Sequence, residues 1–167
     1  MKRPLRRDTL PQRDDMHRKR WLYQIKQVNE LAERFTGIRY GCAGKHKANP
    51  SLFGVAPYHG QDSDRTLCDR DARFGRADLP RIQPLLKRAE AASLAGNLTW
   101  SVDDTGWIYE LQITNVGQNE WHGYPMLMTD PFARTIWLRF KEWADQHGQT
   151  SDKHAATACS LLYGLKP

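Results

Sequence analysis

The chain has 167 residues, of which 26% are charged and 40% hydrophobic, and its formal net charge at pH 7 is +6. This composition is close to that of globular domains, which argues against a disordered protein, and no apolar run approaches the roughly 18 residues of a membrane span. The three cysteines are widely spaced, which excludes a disulfide-stabilised secreted module and favours a reducing compartment. We expect a cytoplasmic protein of bacterial type without a membrane partner.

The positive charge is concentrated at the beginning of the chain. Residues 1–26 hold nine Lys or Arg against three Asp, a balance of +6, and the remaining residues hold 25 − 9 = 16 basic and 19 − 3 = 16 acidic side chains. Prolines and charges with few apolar groups predict a flexible basic arm over residues 1–14, followed by a single globular α+β domain over residues 15–167. A basic arm on a neutral domain is typical of attraction to phosphate.

The candidate nucleic-acid contacts are the cations of this segment and the tryptophan that follows them. They are Arg3, Arg6, Arg7, Arg13, Arg18, Lys19, Arg20 and Trp21. The cations would pair with phosphates and the indole would stack on a base. Three alternatives stay open: a solvated leader that only aids solubility, a contact for acidic protein partners and, for the tryptophan, packing in the core.

Apolar residues at helical spacing predict four helices in the domain, with suitable capping residues or glycines at several of their ends. These helices lie near residues 16–36, 84–95, 131–147 and 152–163. Between the first two, residues 38–76 contain too many glycines and prolines for a long element, and only a short strand at residues 38–40 is indicated. A loop region of this length is usually functional.

Strict alternation of apolar and polar residues predicts a β-hairpin over residues 98–114, with its turn at residues 103–106. A third, interrupted strand is predicted near residues 120–128, where Pro125 indicates an edge or bulged strand. In the second hairpin strand we expect Trp107, Tyr109, Leu111 and Ile113 to face the core and Ile108, Glu110, Gln112 and Thr114 to face away from it. The resulting α+β fold is a small antiparallel sheet covered on one face by about four helices.

The strongest candidates for catalysis surround Gly123. His122 and Tyr124 would lie on one face of the third strand, and a bend at the glycine would turn them toward Glu110. In this hypothesis His122 transfers a proton, Glu110 orients it, and Arg134 stabilises the developing negative charge of a phosphorane. These are the parts of a metal-independent ribonuclease. The alternative is hydrogen bonding at a sheet edge without a catalytic role.

Metal, cofactor and cysteine-nucleophile sites are not expected. No closely spaced cysteine pair indicates zinc, and no glycine-rich phosphate loop is present. Around Cys68, neighbouring arginines and aspartates have opposing effects on the pKa of the thiol. The leading interpretation is therefore a nucleic-acid-associated protein that acts through its basic arm, with a ribonuclease-like site. The second is a non-enzymatic protein-binding module, such as an inhibitor, an adaptor or an immunity-type partner.

Overall fold

The computed structural model describes residues 20–24, 39–60 and 65–167, with only the backbone for residues 113–116. The described residues form three α-helices, α1 (Ile82–Ala91), α2 (Ala133–Gln146) and α3 (Thr150–Tyr163). Four strands accompany them, β1 (Arg39–Tyr40), β2 (Thr99–Val102), β3 (Ile108–Asn115) and β4 (Glu120–Pro125). Short 3-10 turns lie at Gly44–His46, Pro50–Phe53, Arg76–Arg81 and Val116–Gln118. This mixed content confirms the predicted α+β class.

The strands form one sheet in the order β1-β4-β3-β2. The predicted hairpin is confirmed as the antiparallel pair β2 and β3, and β4 continues the antiparallel order beside β3. Strand β1 adds a short parallel pair to the first two residues of β4, so this part of β4 lies inside the sheet and not at its edge. Pro125, on which the edge prediction depended, is the last residue of β4, a position where a missing N–H is tolerated.

Asp103 holds the turn of the hairpin in place. Its Oδ1 accepts hydrogen bonds from the Thr105 N–H at 2.9 Å, the Thr105 hydroxyl at 2.7 Å and the Trp107 N–H at 3.0 Å. Its Oδ2 accepts a fourth bond, at 3.0 Å, from the hydroxyl of Tyr109. Because the carboxyl group is buried, these donors replace the water that it loses on folding.

The sheet is covered on both faces, and the prediction that helices cover only one face is wrong. One face presents Trp100, Val102 and Ile108 to α2 and α3 in the main hydrophobic core. On the other face, Leu111 and Trp121 pack against α1. Burial on both sides allows each strand to carry apolar residues at adjacent positions.

The predicted assignment of side chains to the two faces of β3 is also wrong. Trp100 pairs with Glu110 and Val102 with Ile108, so these four side chains share one face. Five residues lie between Val102 and Ile108, the last paired positions of the hairpin, so the even-numbered residues of β2 and β3 lie on the same face. The sequence had suggested that the odd-numbered residues of β3 share the face of Trp100 and Val102.

The predicted helix over residues 16–36 is wrong at residues 20–24, which are extended. Leu22 forms an antiparallel bridge with Gly96, and the Tyr23 N–H donates to the Ala95 carbonyl at 2.9 Å. A side chain at Gly96 would collide with the backbone of Trp21, so only glycine permits this close approach. Backbone pairing with a distant segment therefore overrides the helical spacing of the side chains. We call residues 20–24 the strap.

The predicted arm over residues 1–14 and the remainder of the predicted first helix lie outside the described residues. Among the helices that the structure describes, none combines the length and the apolar character that crossing a bilayer requires.

We expect Gly106→Ala to destabilise the fold by about 3 kcal/mol or more, because it adds a collision to backbone strain. Gly106 has a φ of +94°, and a Cβ there would lie 2.5 Å from the backbone of Ala158 and Cys159 in α3. The matched control is Gly54→Ala, where φ is +69° and nothing lies within 4 Å of the added atom. This control should cost only about 1 kcal/mol of strain. The measurement is urea unfolding, and equal losses for the two variants would contradict the close packing of the hairpin turn on α3.

Candidate functional site

The pairing of β3 with β4 places four polar side chains on one face of the sheet. Glu110 lies opposite Tyr124, and Gln112 lies opposite His122. The Tyr124 hydroxyl donates to Glu110 Oε1 and accepts a hydrogen bond of 2.7 Å from Gln112 Nε2. A fifth side chain, His46, reaches this set from the 3-10 turn Gly44–His46. We call these five residues the polar cluster.

The rings of the polar cluster stack on one another. His46 lies between the other two, with its centroid 4.5 Å from that of Tyr124 and 5.3 Å from that of His122. The interplanar angles are 20° and 18°, which is near-parallel stacking. The structure therefore brings together three of the four residues predicted to be catalytic, His122, Tyr124 and Glu110, and it adds His46.

Glu110 is 0% exposed, and its carboxyl group is occupied by other groups of the chain. Trp100 Nε1 donates to Oε2 at 3.0 Å, and Arg20 Nε lies 2.9 Å from the same oxygen. Since Oε1 accepts from Tyr124, both oxygens have partners. A group placed in this way can orient Tyr124 from below the surface, but it cannot itself touch a substrate.

Arg20 links the strap to the polar cluster. Its side chain is only 12% exposed and forms ion pairs with both Glu110 and Asp130. The neighbouring Trp21 is 48% exposed, and its backbone N–H donates to Asn97 Oδ1 at 3.1 Å. Of the predicted nucleic-acid contacts, Arg20 is thus engaged by carboxylates of its own chain, and Trp21 presents half of its surface to solvent.

The other predicted contacts, Arg3, Arg6, Arg7, Arg13, Arg18 and Lys19, lie outside the described residues. Arg134 is exposed at the start of α2 and contributes to none of the polar cluster's contacts among the described residues. Besides Arg20, the cations Lys45 and Lys47, which flank His46 in the chain, act on this cluster through His122. Sequence reasoning missed Lys45, His46 and Lys47, because the region from 38 to 76 shows no periodicity that would place them.

The pKa of His122 reflects the burial and the positive charge of the site. Burial, together with the positive charges of Lys45 and Lys47, lowers the pKa of His122 from 6.5 to about 4. The imidazole is therefore neutral near pH 7. A neutral imidazole can accept a proton or a hydrogen bond, whereas it cannot act as a general acid until its pKa rises.

Lys45 also contributes to a half-buried aromatic and cationic surface. Its Nζ lies 5.8 Å from the centroid of the Tyr58 ring, and the guanidinium carbon of Arg65 lies 4.8 Å from the same centroid. Both distances are within the range of cation–π attraction. We call Lys45, Tyr58, Arg65 and His122 the basic surface.

Lys47 points inward and stabilises the loop that carries the basic surface. Its side chain is 2% exposed, its Nζ donates to the Tyr40 hydroxyl at 3.1 Å, and the Phe53 ring lies 4.7 Å away. Cys68 lies in the same region, where burial raises the pKa of its thiol although Lys47 opposes the shift. A buried thiol that holds its proton is a poor nucleophile.

Among the described residues, no three His, Cys, Asp or Glu side chains converge as metal ligands would. Comparison with known proteins gave no match to any family, to any curated protein or to any solved structure. The geometry of the basic surface and the polar cluster is therefore the basis of the functional assignment.

We expect Arg20→Met to destabilise the protein by about 3 kcal/mol, because it leaves Glu110 buried without its cation. The double variant Arg20→Met with Glu110→Gln should lose less than the sum of the two single variants, since position 110 then carries no unpaired charge. Urea unfolding of the four proteins gives this coupling energy. Additive losses would mean that the two side chains do not interact.

We expect the stability of the protein to depend on the protonation of His122. Its folded pKa of about 4 lies below the unfolded value of about 6.5, so the unfolded chain binds the proton more readily between these values. The stabilisation from neutral His122 is complete above the unfolded pKa and is lost as the pH falls toward 4.

Between pH 7 and about pH 4.5, the wild type should lose about 2 kcal/mol more free energy of unfolding than His122→Gln. Comparing the two proteins cancels the contribution of the acidic residues that they share. His154→Gln, which removes an exposed histidine of α3, is the matched control and should follow the wild type. Parallel curves for the wild type and His122→Gln would show that the imidazole does not experience the burial and positive charge described above.

Proposed function

We propose that this protein binds single-stranded nucleic acid through the basic surface and the basic arm. The observation that carries the proposal is the grouping of Lys45 and Arg65 around the Tyr58 ring, with Lys45 close enough to His122 to act on its pKa. Burial is the main cause of the low pKa of His122, and the cations that also lower it are the groups that would attract an anion. Phosphate is the anion that a series of cations along a polar surface suits best.

The aromatic rings support a single-stranded ligand. Unpaired bases stack on exposed rings without regard to sequence, and the cations beside the rings pair with the backbone phosphates. Tyr58, which is half-buried, has Lys45 and Arg65 both within cation–π distance, and Trp21 offers an exposed ring. Arg20 is left out of the interface because its guanidinium already pairs with two carboxylates.

The arm and the basic surface are suited to act on the same ligand. Arg20, the first described residue, contacts Glu110, and Glu110 contacts Tyr124 of the polar cluster. Arg20, which follows the basic segment in the chain, therefore lies two side-chain contacts from Tyr124. We expect a strand held on the basic surface to contact the cations of the arm as well.

A more specific form of the proposal is metal-independent cleavage of RNA, and the neutral imidazole of His122 is the observation that favours it. His122 would accept the proton of a ribose 2′-hydroxyl while the 2′-oxygen attacks the adjacent phosphorus and the bond from phosphorus to the 5′-oxygen breaks. The leaving 5′-oxygen would take its proton from water, and the other product would be a 2′,3′-cyclic phosphate. Tyr124 would be held in place by Glu110, and Lys45 would lie beside the developing negative charge. Lys45 takes the role that the sequence suggested for Arg134.

The binding test is fluorescence anisotropy with a labelled single-stranded RNA, its DNA counterpart and a duplex. We expect Lys45→Ala with Arg65→Ala to weaken single-strand binding about tenfold at low salt and to lower the slope of log affinity against log salt by about 1.4, since two phosphate contacts are lost. Deleting residues 1–19 should lower the slope further. Arg134→Ala is the matched control, an exposed arginine outside the basic surface that should leave both values unchanged.

The cleavage test uses the same RNA with and without a chelator. The specific form predicts cutting that survives the chelator, requires the 2′-hydroxyl and disappears in His122→Ala while binding persists. Binding without cleavage would restrict the function to binding of nucleic acid. A tight complex with a protein that resists both salt and the deletion of residues 1–19, together with no affinity for RNA or DNA, would replace the proposal by the protein-binding module.

A further inference from the structure

A cleft lies away from the polar cluster and shares no residue with it. This cleft has a volume of about 460 Å³ and lies between α1, the end of α2, the start of α3 and the hairpin turn. Its size is within the range of small-molecule sites, which is roughly 300–1,000 Å³. Its polar and aromatic lining includes Arg81, Lys87, Arg88, Trp143, His147 and Ser151.

Arg88 forms a rigid wall of the cleft. Its Nε donates to Asp152 at 2.8 Å, its Nη2 donates to Asp104 at 2.8 Å, and its Nη1 donates to the Val102 carbonyl at 2.8 Å. Both carboxylates that line the cleft are therefore paired with one guanidinium. Asp104 also attracts Arg81 electrostatically, whereas neither carboxylate pairs with Lys87.

The remaining charge of the lining is positive. Lys87 is exposed on α1, and no carboxylate of the described residues lies within ion-pair distance of it. Arg81 pairs with Asp78 at 3.1 Å, but that carboxylate is not part of the lining and the guanidinium remains 42% exposed. The cleft thus favours an anionic ligand with one compact charged group.

Trp143 provides a flat apolar surface beside these cations. Its ring stacks on Phe140 with a centroid distance of 5.8 Å and an interplanar angle of 28°. This contact holds the indole in place before a ligand arrives. A fixed indole attracts a planar ring, and a cation close by attracts an anion attached to that ring.

We infer that this cleft binds a nucleoside monophosphate, with the phosphate at Lys87 and Arg81 and the base on Trp143. Such a ligand needs a cation, a hydroxyl donor and a flat ring. The cleft provides them in Lys87, Ser151 and Trp143. The inference does not depend on the proposed function, because the basic surface contributes no residue to the cleft.

The test is isothermal titration calorimetry of the full chain with adenosine 5′-monophosphate, adenosine and inorganic phosphate. The nucleotide should bind at least about tenfold more tightly than either part alone. Lys87→Ala should weaken nucleotide binding about tenfold, and Lys87→Arg should restore it. Trp143→Leu should weaken it about tenfold through the loss of stacking. Lys166→Ala, an exposed lysine outside the cleft, should bind as the wild type does.

Nuclear magnetic resonance locates the ligand. The indole N–H signal that disappears in Trp143→Phe should be the one that moves when the nucleotide is added to the wild type. No binding at millimolar nucleotide, or equal affinity for phosphate alone, would overturn the inference, as would an unchanged affinity in Lys87→Ala. Loss of nucleotide binding in Lys87→Ala with RNA binding intact would support a separate site. Loss of both together would overturn the separation.

Discussion

The carboxyl group of Glu110 is fully buried, and its hydrogen bond from Tyr124 positions the polar cluster. Its partners come from three different segments: Arg20 from the strap, Trp100 from β2 and Tyr124 from β4. A buried carboxylate without such partners would cost several kcal/mol, so its position requires these segments to meet. The orientation of the Tyr124 ring, and through stacking that of His46, follows from this one requirement.

The segment from Lys45 to Lys47 divides its charges between the interior and the surface. Lys47 is enclosed by Tyr40 and Phe53 and fixes the loop, while Lys45 lies beside Tyr58. His46, between them, stacks on the ring of His122. Three consecutive residues therefore provide an anchor, a stacking ring and an outward cation. Burial keeps His122 neutral and the same two charges contribute, so a ligand that brings negative charge would raise the pKa of His122.

The parts of the structure that could be predicted are those in which local pattern and tertiary contacts agree. The hairpin was predictable from alternation and from Asp103 in its turn, and α2 and α3 were predictable from helical spacing. The strap was not, because the partner of Leu22 is Gly96, more than seventy residues away, and no local pattern reveals it. The candidate site was predictable only in its β-strand residues, since His46 comes from an aperiodic loop whose position depends on tertiary packing.

Residues 27–167 hold as many acidic as basic side chains, but this balance does not show which of these side chains are exposed. Three acidic side chains are buried, and each accepts hydrogen bonds from donors inside the fold. They are Asp103, Glu110 and Asp152. Three cations, Arg20, Lys47 and Arg88, are largely buried with them, so the charge of each part of the surface depends on the side chains that remain there, such as Lys45 beside an aromatic ring. A chain segment with as many acidic as basic residues can therefore present a positive surface, because the potential that a ligand meets depends on exposure and not on composition. The basic surface adds to the charge of the arm for this reason.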